Sequence, residues 1–335
     1  MEFAFPVEVF LTFDIEGPPG REDSMDFQTR KAIQKTLKLM EKHKLRGLFF
    51  ISGTIAKELS KDTHLFQLLE KHEIGSHSMN HSIKPRVCEY TDVAEYDRAV
   101  HASIIRESSG RLSGTAENKL GHRIFLNEIF PSKRIDAFRV PFDYFSPPHI
   151  EALGKLGFRF IFSGDIAPEP VFFKGLTFYP KAVFMDGFLR KFIHFDYPDR
   201  VVASPFLLSS FGKKSLVFAF HPSEFAYQVN RENLRAFYKN PRRSLRLESN
   251  HSIATTSSLS LFELFLSRLQ VLQGLGMIKI TPKLKTSEVL LDPEKVDIQK
   301  NINYCMRIAT ELFGYKPRFL LSQYHHLFGN HELSG

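Results

Sequence analysis

The chain has 335 residues, 43% hydrophobic and 24% charged, enough to bury a sizeable core. Two cysteines, Cys88 and Cys305, sit far apart without ligand spacing, which argues against a disulfide framework and a thiolate metal site. A net charge of +8 favours anionic partners such as phosphates, acidic glycans or a lipid surface, while no nucleic-acid motif accompanies it. No apolar run approaches membrane-spanning length and no leader-like start is visible, so a cytoplasmic location without a transmembrane segment is expected.

Taken in chain order, hydrophobic runs alternate with helical patterns, the signature of βα units around a largely parallel sheet. Val7 to Phe13 reads as a buried strand and Phe27 to His43 as a helix with Ile33, Leu37 and Met40 on one stripe. Leu48 to Ser52 is a second strand, followed by a helical stretch through Leu65 to His72. Glu73 to Gly75 then enters a loop, with Gly75 expected to supply a tight turn before His77 and His81. Asp136 to Val140 is another strand, stopped by Pro141. The next helix opens at Pro147 and Pro148 and ends at Gly157.

Phe158 to Ser163, Leu216 to Phe220 and Met277 to Thr281 read as further strands. Between the last two, a polar segment from about Ser223 to Ser258 carries Arg231, Arg235, Lys239, Arg242, Arg243 and Arg246, and is read as a solvated basic loop. A helix from Leu259 to Leu272 follows it. The expected division is a catalytic domain over 1–290 and a helical extension over 291–335, with a helix from Val296 to Phe313. His325, His326 and His331 in that extension are read as surface or packing residues.

Four clusters fall at predicted strand ends, where sheet-based enzymes gather reactive side chains. They are Thr12-Phe13-Asp14-Ile15-Glu16, His77-Ser78-Met79-Asn80-His81, Arg139-Val140-Pro141 and His221-Pro222. Two imidazoles four residues apart on one helical turn can share an ion such as zinc, and a carboxylate is the usual third ligand. Asp14 and Glu16 bracket one residue, so alternation along a strand sends both to the same side, one to ligate and one to act as a base. Arg139 can fork onto a carboxylate and depress its pKa, and His221 can donate a proton to a leaving amine. Taken singly, each residue also has a structural reading: a loop-solvating or helix-capping acid, an ion-paired arginine, a satisfied core histidine.

Together the order and spacing of these clusters resemble the polysaccharide deacetylases, carbohydrate esterase family 4, which carry the chitooligosaccharide deacetylase homology domain. Thr-Phe-Asp-Ile-Glu is similar to that family's Thr-Phe-Asp-Asp-Gly, Phe49 to Gly53 to its following strand, and Glu73 to His81 to its second motif. Arg139-Val140-Pro141-Phe142 is similar to the third motif, and Phe218 to Pro222 to the fifth. The resemblance covers roughly Glu8 to Leu290. It implies a distorted, incomplete parallel (β/α) barrel with a C-terminal helical tail.

The resemblance also implies Asp14 as general base, His77 and His81 as metal ligands, Arg139 as the group orienting the base, and His221 as general acid. Water attacking an N-acetyl carbonyl would be activated by a divalent ion, expected to be zinc, with cobalt or another divalent ion as alternatives. The implied substrate is an N-acylated sugar or glycan, phosphate- or lipid-linked in one version. Ile15 replaces the usual second aspartate, and the Asp-x-Glu pattern resembles an allantoinase-like branch, which makes Glu16 the expected third ligand. Ser163-Gly164-Asp165 is the only segment in the place of the fourth motif; its usual tryptophan is missing, since the chain has no Trp, and Asp165 is carried as a catalytic candidate. Phe142, Tyr144 and Phe145 are offered as stacking surface for a sugar ring. Two other functions stay open: a hydrolase of a small cyclic amide or ureide, and a glycan-binding protein without catalysis.

Overall fold

The computed structural model describes residues 6–79, 81, 90, 92–109, 122–143, 145–185, 214–228, 231–240, 248–249 and 258–329. The chain forms two compact units that interleave in sequence. The first comprises Met1–Gly75, Ala182–Val229 and Leu247–Leu284, and the second Ser76–Lys181, Asn230–Arg246 and Lys285–Gly335.

In the first unit, β1 (Val7–Ile15) is central: it pairs in parallel with β2 (Leu48–Ile51), β9 (Ser215–Phe220) and β12 (Ile278–Ile280). Nearly every residue of β1 and β9 is buried, as expected of strands covered on both faces. Phe13 carries this to its limit, stacked between Phe49 at 4.5 Å and Phe220 at 5.3 Å, with Phe262 edge-on at 6.1 Å. Phe262 belongs to the helix Leu259–Gly274, and the first helix, α1 (Phe27–Lys42), buries the expected stripe of Ile33, Leu37 and Met40. The short strand β8 (Val183–Phe184) continues the sheet beyond β9.

The second unit holds β4 (Ala137–Arg139), β5 (Phe160–Phe162), β6 (Val171–Phe173) and β7 (Leu176–Phe178). β4, β5 and β7 run parallel, whereas β6 turns back antiparallel on β7. Its helices Tyr96–Ser109, His122–Ile129 and Pro147–Lys155 are followed in the chain by Arg231–Lys239, Ile298–Phe313 and Leu320–Phe328. Pro147 opens its helix and Gly157, at φ 84°, follows its end, as the sequence predicts.

β3 (Glu73–Ser76) spans the boundary in the chain: Glu73 donates its amide to Gly47, and Ser76 registers with Phe138. Strand order is therefore β6-β7-β5-β4-β3-β2-β1-β9-β8 with β12 beside β1. This is an α/β fold with an open, mixed but mainly parallel sheet of the incomplete-barrel class, followed by C-terminal helices.

Several local expectations are corrected. Gly75 lies inside β3 with no positive φ, so it makes no tight turn. The basic segment is not simply a loop: Arg231–Lys239 is helical because Phe237 and Tyr238 bury on one side, leaving Arg235 and Lys239 in solvent. Arg242, Arg243 and Arg246 lie outside the described residues, as do Cys88, Tyr144 and His331. Cys305 is a free, buried thiol, pushed up to about 12 by burial.

Candidate metal centre and its surroundings

In the first unit, the parallel register of β1 with β9 ends at Phe13 and Phe220, so the next residues, Asp14, still paired with Phe50 of β2, and His221, the first residue past β9, come side by side. His221 Nε2 lies 3.5 Å from Asp14 Oδ2 and 3.9 Å from Glu16 Oε1. One imidazole touching both acids bears out the expectation that Asp14 and Glu16 face the same side while Ile15 packs into the core. Asp14 is 2% and Glu16 8% exposed, in surroundings where charge interactions act strongly. Phe184 stacks on the His221 ring at 5.7 Å and holds its plane.

Gly17 then lets the chain fold back at once. A Cβ there would stand 1.9 Å from the Ser24 carbonyl oxygen and 2.1 Å from that of Arg21, so no side chain fits. The Gly17 amide donates to Glu22 O, which closes the turn beside the two acids.

In the second unit, His77 is the first residue beyond β3, and its Nδ1 lies 2.9 Å from the Arg139 carbonyl oxygen. A carbonyl only accepts, so Nδ1 carries the proton and Nε2 presents its lone pair. That is the tautomer a metal ligand needs, set by a backbone partner at the end of β4. The His81 ring lies 4.9 Å from that of His77 and 5.3 Å from that of Phe142. The expected helical turn is absent: the described residues between them are not helical, and Ser78 takes φ 67°. The imidazoles converge through this left-handed residue rather than through helical spacing.

Glu16, His77 and His81 each offer one ligand atom, and these lie within 4.8 Å of one another; all three residues are buried. Ligands of a tetrahedral ion at about 2.1 Å are roughly 3.4 Å apart, a spacing inside that 4.8 Å limit. The cluster suits a divalent ion. Two nitrogens and one carboxylate oxygen leave coordination positions for solvent or substrate.

Arg139 is buried, its guanidinium carbon 5.6 Å from the Phe162 ring centroid. Just after it, Phe142 and Asp143 adopt φ 64° and 56°, a conformation bulky residues rarely take. Phe142 is half-buried with Tyr238 and Phe313 edge-on to it, whereas Phe145 is core, against Phe178 and Tyr324. Asp165, beyond β5, pairs with Lys300 at 2.7 Å, and its backbone exchanges hydrogen bonds with the Asn301 side chain. His326 stacks on Tyr96 at 3.8 Å, a packing role as expected. The Phe184 contact and the Arg139 carbonyl were not foreseen, because neither a stacking partner nor a backbone acceptor carries a sequence signal.

The polysaccharide deacetylase family model matches residues 6–111, a stretch that includes Asp14, Glu16, His77 and His81. Over that stretch, about a third of its length, the chain is similar to the polysaccharide deacetylases. Arg139, Asp165 and His221 lie beyond the matched stretch. No curated protein matches the chain.

Among solved structures, a CE4 family pseudoenzyme from Bacillus anthracis is 12% identical, with a TM-score of 0.41, over 82% of this chain and 63% of its own. This chain thus spans less than two thirds of that relative's length. A probable polysaccharide deacetylase from Pseudomonas aeruginosa has 11% identity and a TM-score of 0.50, over 83% and 88% of the two chains. A 4-alpha-glucanotransferase from Thermococcus litoralis has 11% identity and a TM-score of 0.50, over 83% and 39%. At these identities the last two speak for a shared fold alone.

Proposed function

We propose that this chain is a polysaccharide-deacetylase-like, metal-dependent hydrolase of carbon–nitrogen bonds other than peptide bonds, an N-deacetylase of an amino sugar or glycan. The observation that carries the reading is the convergence of Glu16, His77 and His81 ligand atoms within 4.8 Å, with Asp14 3.5 Å from His221. Zinc is the proposed ion, since two imidazoles and a carboxylate match its preferred ligands. Bound there, it supplies Lewis acidity toward the acyl carbonyl and makes water a better nucleophile.

The residues divide the proton work. Asp14, a buried acceptor, takes a proton from the attacking water, and His221, in its protonated form, gives one to the departing nitrogen. Their 3.5 Å separation keeps both next to the same reacting centre. His77 keeps its ligand tautomer through the Arg139 carbonyl, and Arg139 is assigned the positioning of the base. Asp165 receives a supporting part, since its carboxylate is already engaged by Lys300.

The catalytic region is assigned to 1–290 and the extension to 291–335. Among the described residues no helix is long and apolar enough to cross a membrane. A cytoplasmic setting remains our proposal, consistent with a free, reduced Cys305.

The test is release of acetate from a panel of N-acetylhexosamines, free, phosphorylated and lipid-linked, by zinc-loaded protein. We expect turnover that falls about 10²- to 10⁴-fold in His221→Ala while metal content holds. A blank panel, or a His221→Ala variant as active as wild type, contradicts the assignment.

A further inference from the structure

In the second unit, the parallel strands all end at one edge. Asp143 follows β4, Asp165 follows β5 and Lys181 follows β7, on the same side of the ladder as His77 after β3. In α/β sheets, this carboxyl edge is where ligands bind.

The helix Ile298–Phe313 lies over that edge. Lys300, Tyr304 and Arg307, spaced i, i+4, i+7, share one of its faces, and Lys300 is fixed there by Asp165. The next turn is different. Lys181 Nζ stands 4.7 Å from the Tyr304 ring centroid and the Arg307 guanidinium carbon 5.0 Å from the same centroid.

Neither Lys181 nor Arg307 has a carboxylate within 4.0 Å among the described residues, unlike Lys300 one turn away. Two cations held on one ring are less than about 10 Å apart, a separation comparable to the Debye length at physiological salt, so their repulsion is only partly screened. The ring face offsets part of that repulsion. An anion offsets far more, and a guanidinium beside an ammonium is the donor pair that suits phosphate or carboxylate oxygens.

The same helix ends at Phe313, packed on Phe142, which also touches Tyr238 and His81. Arg307 and Phe313 are six residues apart, about 9 Å along the helix axis, so one helix carries both the Tyr304 pair and the residue that packs on Phe142.

We propose that Lys181 and Arg307, set on Tyr304, form an anion subsite that selects substrates carrying a phosphate or carboxylate group. This deepens the deacetylase reading and rests on it: the acyl nitrogen goes to the His77 and His81 end, the anionic group to the Tyr304 end. Binding and turnover separate the two claims.

Calorimetric titration of zinc-loaded protein compares N-acetylglucosamine, its 6-phosphate and an N-acetylated sugar carboxylate, with inorganic phosphate alone as a further probe. Wild type is expected to bind an anionic sugar at least tenfold more tightly than the neutral one, an advantage that shrinks as salt rises. The phosphate and carboxylate arms then identify the group. A double Lys181→Ala, Arg307→Ala variant loses that advantage, Lys181→Arg with Arg307→Lys keeps part of it, and Arg98→Ala, an exposed cation paired with Glu95, keeps it whole. Equal binding of neutral and anionic sugars by wild type, or a double variant that is folded by circular dichroism and keeps the preference, overturns the subsite. A blank turnover panel with the binding preference intact would count against the deacetylase reading and not against the subsite.

Discussion

Removing the Phe13 ring tests whether the strand bearing the two acids is held by its aromatic packing. Phe13 is fully buried, sandwiched by Phe49 and Phe220 with Phe262 edge-on. Truncating a buried phenylalanine costs about 3–5 kcal/mol through lost transfer energy and the cavity left behind. Here the upper half of that range is expected. Phe49, Phe220 and Phe262 come from two strands and a helix that cannot all move inward without breaking β-ladder register. Phe13→Leu keeps most of the volume but loses the ring pairs, each worth about 0.5–1.5 kcal/mol, so it should fall between alanine and wild type.

Guanidinium unfolding measures this, followed by circular dichroism or tyrosine fluorescence because the chain has no tryptophan. With a denaturant slope of roughly 4 kcal/mol per molar, Phe13→Ala should lower the midpoint by about 1 M. A drop below about 0.2 M, or a leucine variant no better than alanine, would show that the ring stack is not what secures β1.

Asp26 caps α1 by accepting from the Thr29 amide at 2.8 Å and also accepts from the Tyr227 hydroxyl. Burial works against its charge, yet the Tyr227 and Thr29 hydrogen bonds outweigh it and hold the carboxyl below its ordinary range. A depressed carboxylate stabilises the fold above its unfolded pKa and loses that contribution as pH falls through the folded value. Asp26→Asn should therefore flatten the acid limb of stability below about pH 4, and Asp26→Ala should cost about 1 kcal/mol at neutral pH; unchanged acid unfolding in Asp26→Asn would contradict this. Cys305, buried and with its thiol pushed up to about 12, should resist a thiol reagent at pH 8 in a Cys88→Ser protein until denaturant is added. Rapid native labelling would mean that the helix Ile298–Phe313 opens readily.

How much of this was legible in the sequence depends on the length and covering of each element. β1, β9 and α1 were read nearly to their ends, because long runs buried on two faces and a helical apolar stripe leave strong periodic signals. The hairpin of β6 and β7 was missed, since strands of three residues are too short to show a period. The interleaving of the two units along the chain has no local signature at all. The alternation rule put Glu16 on the same side as Asp14, which the structure bears out at His221, whereas its choice as third ligand rested on the resemblance of the Asp-x-Glu motif to the allantoinase-like branch. The HxxxH pair converges for a different reason from the one spacing suggests: Ser78 takes a left-handed φ, and no hydrophobic pattern reports that. The helix Arg231–Lys239 hid behind its charge, because Phe237 and Tyr238 are the only long apolar side chains it buries.

The most direct test of the metal centre is stoichiometry. Apo protein dialysed against zinc and analysed for metal should hold one tightly bound ion per chain, and His77→Ala, His81→Ala and Glu16→Ala should each lose most of it while remaining folded by circular dichroism. Wild-type protein without stoichiometric metal, or variants that keep their full complement, would contradict the shared site on which the hydrolase reading is built.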